Sequence, residues 1–198
     1  MIVISQQPKF GENYKAGYIG ASYRNDKIQS YGIAWFSRDK DPSLLPVSHV
    51  FMVKDEHTVI EAHAGKGVAE APIEPYFDDP GIIVSFRKPV GLTPEIAAQL
   101  IANASERLGS EYDMSLIIAH GAASSFLGRM IGKVTGGKSD AFLAKLGDSK
   151  DEWMCSELVA DSMNRHPLYK DKGILSKASA AIKPRELISD TTIFAEWK

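Results

Sequence analysis

The clearest hydrophobic pattern in the chain lies between residues 47 and 64, where two apolar runs flank the charged segment KDEH. The runs, Val47 to Val53 and Thr58 to Ala64, are rich in residues that favour strands, and this pattern predicts a β-hairpin. The first run contains VFMV, which has no polar position on either face. A strand of this kind is typical of a sheet that is covered on both faces.

Two further segments downstream predict strands of the same sheet. GVAEAPI begins at residue 67 and GIIVSFRKPV begins at residue 81, with the turn-forming DDPG between them at 78–81. Nothing in the chain repeats, and no low-complexity linker divides it. We therefore expect a single domain that spans residues 1–198, a length sufficient to bury a proper core.

The segment LTPEIAAQLIANASERLG predicts a helix with a marked start. Thr93 is suited to the N-cap, Pro94 to the first helical position, and Gly109 to the end of the helix. The apolar positions share one face of this predicted helix: Ile96, Leu100, Ile101 and Leu108. The predicted strands precede the predicted helices, and this order indicates an α+β fold rather than a regular βαβ alternation.

Composition and charge narrow the classes of partner. The chain has 44% hydrophobic and 24% charged residues and a net charge of −2, which provides no electrostatic reason to expect nucleic acid or an anionic membrane. The longest apolar stretch is interrupted by His120 and Arg129, so we predict no membrane span. No secretory leader is visible, and we expect a cytoplasmic protein, unless phage lysis or a secretion system delivers it elsewhere.

The only cysteine, Cys155, lies in WMCSELVADSM at the predicted start of an amphipathic helix. It shares a helix face with Leu158, Val159 and Ser162, so the thiol is predicted to point inward. One interpretation is structural, because a free cysteine often serves as a small buried hydrophobe. The other is catalytic, because the first turn of a helix favours the reactive thiolate.

A nucleophilic cysteine needs a base, usually histidine, that a third polar group orients. His49 and Glu61 are the polar exceptions in two otherwise apolar strands. Side chains alternate along a strand, so these two share a face only if the hairpin loop has an odd number of residues. A loop of residues 54–56 would place them directly opposite each other, whereas a loop of two or four residues would separate them. His63 has the same parity as Glu61, and could lie beside the pair or replace Glu61 as the orienting group.

A metal site built from His49, Glu61, His63 and Cys155 is an alternative of a different class. The chain contains neither HExxH nor CxxC spacing, which are the local patterns of zinc sites. We therefore predict no metal and no organic cofactor.

Taken together, these motifs resemble a known family. SHVFMV and VIEA, followed by GSEYDMS, CSELVADSM and IKPRELISD, are similar to motifs of the YiiX-like proteins. These form the circularly permuted branch of the NlpC-type papain-like cysteine hydrolases, in which the histidine strand precedes the cysteine helix. The resemblance extends from about residue 16 to the C-terminal end, and implies a permuted papain-like fold with an antiparallel sheet or barrel packed by helices.

The resemblance also implies a catalytic set. It assigns Cys155 as the nucleophile at a helix N-terminus, His49 as the general base and Glu61 as the group that orients the imidazole. Tyr112 matches a position near the active site in this family. The residues predicted to contact substrate are Tyr112, His63, Ser48 and Trp153.

The implied reaction is cleavage of an amide bond through a thioester acyl-enzyme, with peptidoglycan-type peptides as the expected substrate. Two alternatives remain open. Lecithin:retinol acyltransferase-like enzymes use the same kind of site on lipid acyl chains, and a papain-fold module can also bind without catalysis. Residues 116–150 could form a lid or a substrate wall, or simply extra helices packed on the sheet. The expected partner is a small peptide, a peptidoglycan fragment or a lipid acyl substrate, and the oligomeric state is left open.

Overall fold

A computed structural model describes residues 8–24, 47–63, 66–111 and 154–195 of the chain. The described elements begin with five strands and one short helix among them: β1 (Ile19–Arg24), β2 (His49–Val53), β3 (Thr58–His63), β4 (Gly67–Pro72), α1 (Pro75–Asp78) and β5 (Ile82–Arg87). Three longer helical elements follow: α2 (Pro94–Ser105), α3 (Cys155–Asn164) and α4 (Pro184–Ser189). Two short 3₁₀ turns, Gly173–Ser176 and Ser179–Ala181, lie between α3 and α4. Strands thus precede most of the helical residues, and the predicted α+β class is confirmed.

The five strands form one antiparallel sheet in the order β4-β3-β2-β1-β5. The predicted hairpin is present as β2 and β3, and the two predicted downstream strands are β4 and β5. Sequence patterning missed β1, which lies between β2 and β5. The reason is local: Gly20 interrupts the apolar alternation of this strand. A Cβ atom at residue 20 would lie 2.1 Å from the ring of Phe51, so the glycine makes room for the aromatic side chain of β2.

Hydrophobic clusters cover both faces of the sheet, as the apolar character of β2 predicted. On one face, Val50 and Met52 of β2 belong to a large, mainly aliphatic core that includes residues of α2, α3 and α4. On the other face, Phe51 and Val53 belong to a smaller cluster that is rich in aromatic rings. The aromatic members and neighbours of this second cluster are Tyr14, Phe51, Tyr18, Tyr76, Phe77 and Phe86.

Helix α2 begins as the sequence predicted. Thr93 is the N-cap, its hydroxyl accepts a hydrogen bond from the Ile96 backbone N–H at 3.3 Å, and Pro94 is the first helical residue. The predicted C-terminal end is wrong, because the helix stops at Ser105 and a turn continues to Gly109. Leu108 is therefore not on the buried helix face, and 40% of its surface is exposed.

Helix α3 packs on the sheet through a broad buried face. Cys155 is its first residue, and Leu158, Val159 and Ser162 are all buried, as the helical spacing predicted. Polar contacts join α3 to α2 and to the turn that follows it: the Asn103 side-chain amide donates to the Ser162 carbonyl at 2.9 Å, and Arg107 of the turn pairs with Asp161 at 3.4 Å. Helix α3 is thus held against both β2 and α2, and this fixes the position of the cysteine.

In the described part of the chain, every helix falls short of the length and apolar character that crossing a membrane requires.

Candidate active site

The Cys155 thiol lies at the first turn of α3 and is almost completely buried, with 2% of the residue exposed. Met154, the residue before it, has an extended backbone and serves as the N-cap. The Glu157 carboxylate accepts a hydrogen bond from the Met154 backbone N–H at 3.4 Å, which stabilises the helix start. The helix therefore begins at the cysteine itself.

His49 connects the thiol to a carboxylate. Its Nε2 lies 2.7 Å from Oε2 of Glu61, and a hydrogen bond and a charge interaction with the Cys155 side chain act to raise its pKa. Since Nε2 is occupied by Glu61, Nδ1 is the ring nitrogen left for the sulfur. The three side chains form one connected row, sulfur to imidazole to carboxylate.

This row links the two sides of the sheet. Cys155 belongs to the aliphatic core under the helices, whereas Glu61 lies beside the aromatic cluster. His49 is the first residue of β2, at one end of that strand. No single element contributes more than one member of the row, so its assembly depends on tertiary packing.

The hairpin register corrects one sequence prediction. Met52 pairs with Ile60, and Val53 pairs with Val59. The Lys54 backbone N–H donates to the Thr58 carbonyl, so the loop consists of residues 55–57 rather than 54–56. The loop has an odd number of residues, as the shared face of His49 and Glu61 requires. The two residues are diagonal neighbours and not directly opposite, because the register differs by one residue from the predicted alignment on each side of the loop.

The charges within the row stabilise each other. Burial acts to lower the pKa of His49, but hydrogen bonds and charge interactions with Cys155 and Glu61 outweigh it and raise the pKa to about 10. Burial acts to raise the pKa of Glu61, but His49 and a hydrogen bond from Tyr76 lower it to about 2. At neutral pH the pair is an imidazolium and a carboxylate. The exposed fractions of the two side chains are only 16% and 8%, which limits screening by water.

Tyr76 of α1 is a member of the site that sequence reasoning missed. Its hydroxyl donates to Oε2 of Glu61 at 2.5 Å, the same oxygen that faces His49. The sequence pattern indicated a turn only at DDPG, residues 78–81, and Tyr76 before it has no local feature that distinguishes it from a surface residue. Only the fold over β2 and β3 brings its hydroxyl to the carboxylate.

Of the four residues predicted to contact substrate, the structure describes His63 and Ser48. His63 is exposed at the end of β3, with its ring centroid 5.9 Å from that of His49. Ser48 is buried, and its hydroxyl donates to the Ser22 carbonyl of β1 at 3.4 Å, so its visible role is to join two strands. Tyr112 and Trp153 lie outside the described residues, as does the predicted insertion at 116–150.

The segment that leads to Tyr112 is nevertheless anchored near the site. The Ser110 carbonyl accepts a hydrogen bond from the Val68 backbone N–H at 2.8 Å. Gly67, which pairs with His63, has a φ of +70°, and a Cβ atom there would lie 2.2 Å from the Ser110 oxygen. A glycine is thus required where the GSE segment lies on the start of β4.

Of the remaining histidines, the two that the structure describes do not join the row. His57 is in the hairpin loop, 65% exposed, and its Nδ1 lies 2.7 Å from Glu74. His166 accepts a hydrogen bond from the Leu168 backbone N–H through its Nδ1 at 3.1 Å. His120 lies outside the described residues.

Among the described side chains, no group of three or more His, Cys, Asp or Glu residues has an arrangement that could hold a metal ion. His49, Glu61, His63 and Cys155, which the sequence offered as a metal alternative, are included in that statement. The contacts of His49, Glu61 and Cys155 are those of a hydrogen-bonded row.

No protein-family model matches the chain, and no curated protein matches it. Function is therefore inferred from the geometry of Cys155, His49 and Glu61.

Proposed function

We propose that the protein is a cysteine hydrolase that cleaves an amide bond through a thioester acyl-enzyme. The observation that carries this proposal is the connected row of Cys155, His49 and Glu61. Nucleophilic catalysis by cysteine needs this set: a thiol, a base in hydrogen-bonding contact with it, and a group that orients the base. A purely structural cysteine needs none of these partners.

The electrostatics of His49 support the catalytic interpretation. An imidazolium beside the sulfur provides the positive charge that a reactive thiolate requires, and the first turn of α3 adds its dipole. Its pKa of about 10 keeps the imidazole protonated at neutral pH, with Glu61 as the counter-charge. A buried cysteine kept only for packing would be expected in apolar surroundings, without an ion pair at its side.

In the proposed reaction the Cys155 thiolate attacks the carbonyl carbon of the scissile amide. Backbone N–H groups of the first turn of α3, which helices leave without intrahelical partners, are the expected donors to the oxyanion. The His49 imidazolium donates its proton to the leaving amine, and the C–N bond breaks as the thioester remains on the sulfur. A water molecule then loses a proton to the neutral imidazole and attacks the thioester, the C–S bond breaks, and the carboxylic acid leaves with regeneration of the thiolate and the imidazolium.

The fold is compatible with the proposed family. An antiparallel sheet packed by helices, with a histidine strand that precedes a cysteine helix in the chain, is the arrangement expected of a permuted papain-like hydrolase. On this basis we extend the proposal to an NlpC-type, YiiX-like enzyme. Peptidoglycan-type peptides are the proposed substrate, because they are typical of that family.

The decisive experiment compares the wild type with Cys155→Ala on muropeptides, a phospholipid and a fluorogenic ester. We expect the wild type to release an amine from the peptides and the variant to have no activity above background. Release of fatty acid in place of amine would overturn the peptide substrate and favour a lipid acyl hydrolase with the same site. Equal behaviour of the two proteins on every substrate would overturn the enzyme proposal and leave a binding module.

A further inference from the structure

We propose that Tyr76 is a positioning residue of this site, which holds the Glu61 carboxylate aligned on His49 through its hydroxyl. The inference rests on the proposed function, in which His49 must present a fixed ring to Cys155. It adds a fourth side chain to the row, from an element that the sequence motifs do not include.

Both hydrogen bonds converge on one oxygen atom. Oε2 of Glu61 accepts from Tyr76 at 2.5 Å and lies 2.7 Å from Nε2 of His49. A carboxylate held by a single partner can rotate about its terminal torsion, because such sp³–sp² torsions have broad minima. Two donors from different elements restrain the oxygen, and the restrained oxygen in turn restrains Nε2 of the imidazole.

The tyrosine ring is itself held in place. It stacks on Phe51 of β2, with ring centroids 4.3 Å apart and an interplanar angle of 28°. It is also nearly parallel to the His49 ring, at 6° and 6.5 Å. The backbone before it is anchored, since the Ile73 N–H donates to the His57 carbonyl at 3.0 Å and Ile73 is fully buried. Ring packing and this backbone hydrogen bond therefore hold the Tyr76 hydroxyl in place.

The Tyr76 hydroxyl helps to keep the buried Glu61 carboxylate ionised. The ionisable groups that act on Glu61 are His49 from β2, Tyr76 from α1 and His63 from β3 itself. Burial works against the ionised carboxylate, so each hydrogen bond to it counts. Burial and the neighbouring carboxylate raise the pKa of Tyr76 well above its ordinary value, so the phenol keeps its proton and remains a donor.

The test uses Tyr76→Phe, which keeps the ring stacking and removes only the hydroxyl. The matched control is Tyr14→Phe: Tyr14 lies in the same aromatic cluster and its hydroxyl donates to the Glu56 carbonyl at 2.7 Å, away from the row. Circular dichroism melts identify variants that remain folded. The Glu61 carboxyl carbon is followed by NMR between about pH 1 and 7, a range that includes both its pKa of about 2 and the pH at which free carboxyl groups titrate, and its signal is assigned by its loss in Glu61→Gln.

We expect the pKa of Glu61 to rise in Tyr76→Phe and to stay unchanged in Tyr14→Phe. We also expect kcat/KM and the rate of Cys155 alkylation by iodoacetamide to fall about tenfold in Tyr76→Phe, the effect of one hydrogen bond to a charged group. In a Glu61→Gln background, Tyr76→Phe should lower kcat/KM at most about twofold, because the effects of residues that act through one another are not additive.

Three results would overturn the proposal. The first is a Glu61 titration that Tyr76→Phe leaves as in the wild type, and the second is an unchanged rate despite a changed titration. The third is a double variant in which the fold-loss of kcat/KM equals the product of the fold-losses in Tyr76→Phe and Glu61→Gln. If Cys155→Ala shows that the protein is not a hydrolase, the titration and the alkylation rate still decide the role of Tyr76, so the two failures are distinguishable.

Discussion

Two histidine–glutamate pairs in the described part of the chain have the same distance between nitrogen and oxygen but different surroundings. His49 and Glu61 lie 2.7 Å apart, and their side chains are 16% and 8% exposed. His57 and Glu74 also lie 2.7 Å apart, but their side chains are 65% and 38% exposed. Both pairs involve the β2–β3 hairpin, the first at the end of the sheet and the second at the loop.

The difference shows that the distance between two charged atoms does not identify a functional pair. The hydrogen bond that His57 donates to Glu74 raises the pKa of His57, and water screens the pair. His49 reaches a pKa of about 10 although burial opposes its charge, because two partners, Cys155 and Glu61, act on it in a poorly solvated site. What distinguishes the buried pair is the third group at the other ring nitrogen. Three predictions sharpen this comparison.

The largest effect is expected from the two histidines. His49→Ala removes the proposed acid and base and should lower kcat/KM by about 10³-fold or more, within the range typical of proton-transfer groups. His57→Ala removes an equally long hydrogen bond and should leave kcat/KM unchanged. Steady-state kinetics on the substrate found in the Cys155→Ala screen provide the comparison, with circular dichroism as a check of folding. An equal loss in both variants would contradict the distinction between the pairs.

The next largest difference in turnover is expected between substitutions of the two carboxylates, Glu61 and Glu74. Glu61→Gln keeps the shape of the side chain and removes its charge, so we expect normal folding and a loss of turnover of about 10²-fold or more. Glu74→Gln is the matched exposed substitution and should preserve turnover. Turnover in Glu61→Gln equal to that of the wild type would remove this carboxylate from its proposed role.

The smallest effect concerns stability as a function of pH. The folded pKa of His49 lies above its unfolded value, so its contribution is fully present below about pH 6.5 and is lost as pH rises through about 10. The folded pKa of Glu61 is depressed, so its contribution is present above about pH 4.5 and is lost as pH falls through about 2. Urea unfolding at pH 6.5 and 10 should therefore show a larger loss of unfolding free energy in the wild type than in His49→Gln. Parallel losses in the two proteins would show that the pair does not couple to folding.

Local rules accounted for much of the fold. The hairpin followed from two apolar runs around a charged loop, and the start of α2 followed from Thr93 and Pro94, because capping depends on residues only a few positions apart. The shared face of His49 and Glu61 required only that the loop have an odd number of residues. The inward direction of the Cys155 side chain followed from helical spacing.

Features that depend on distant partners were missed or misplaced. The sequence pattern did not predict β1, because Gly20 breaks its apolar alternation. This glycine makes room for Phe51 of the neighbouring strand. The loop register was wrong by one residue, since parity alone does not distinguish residues 54–56 from residues 55–57. Leu108 was assigned to a helix face, although the helix ends three residues earlier and the chain turns towards β4.

The amino-acid sequence by itself determined which chemical groups are present and which way each faces within its own strand or helix, because those orientations repeat with the short periods of the backbone. Tertiary structure alone decided that a thiol, an imidazole, a carboxylate and a phenol converge, since they come from α3, β2, β3 and α1 and no local rule relates them. The unusual charge state of the imidazole belongs to that second category. It arises from neighbours up to 106 positions away in the chain, the separation of His49 and Cys155, whose effect outweighs the opposing effect of burial.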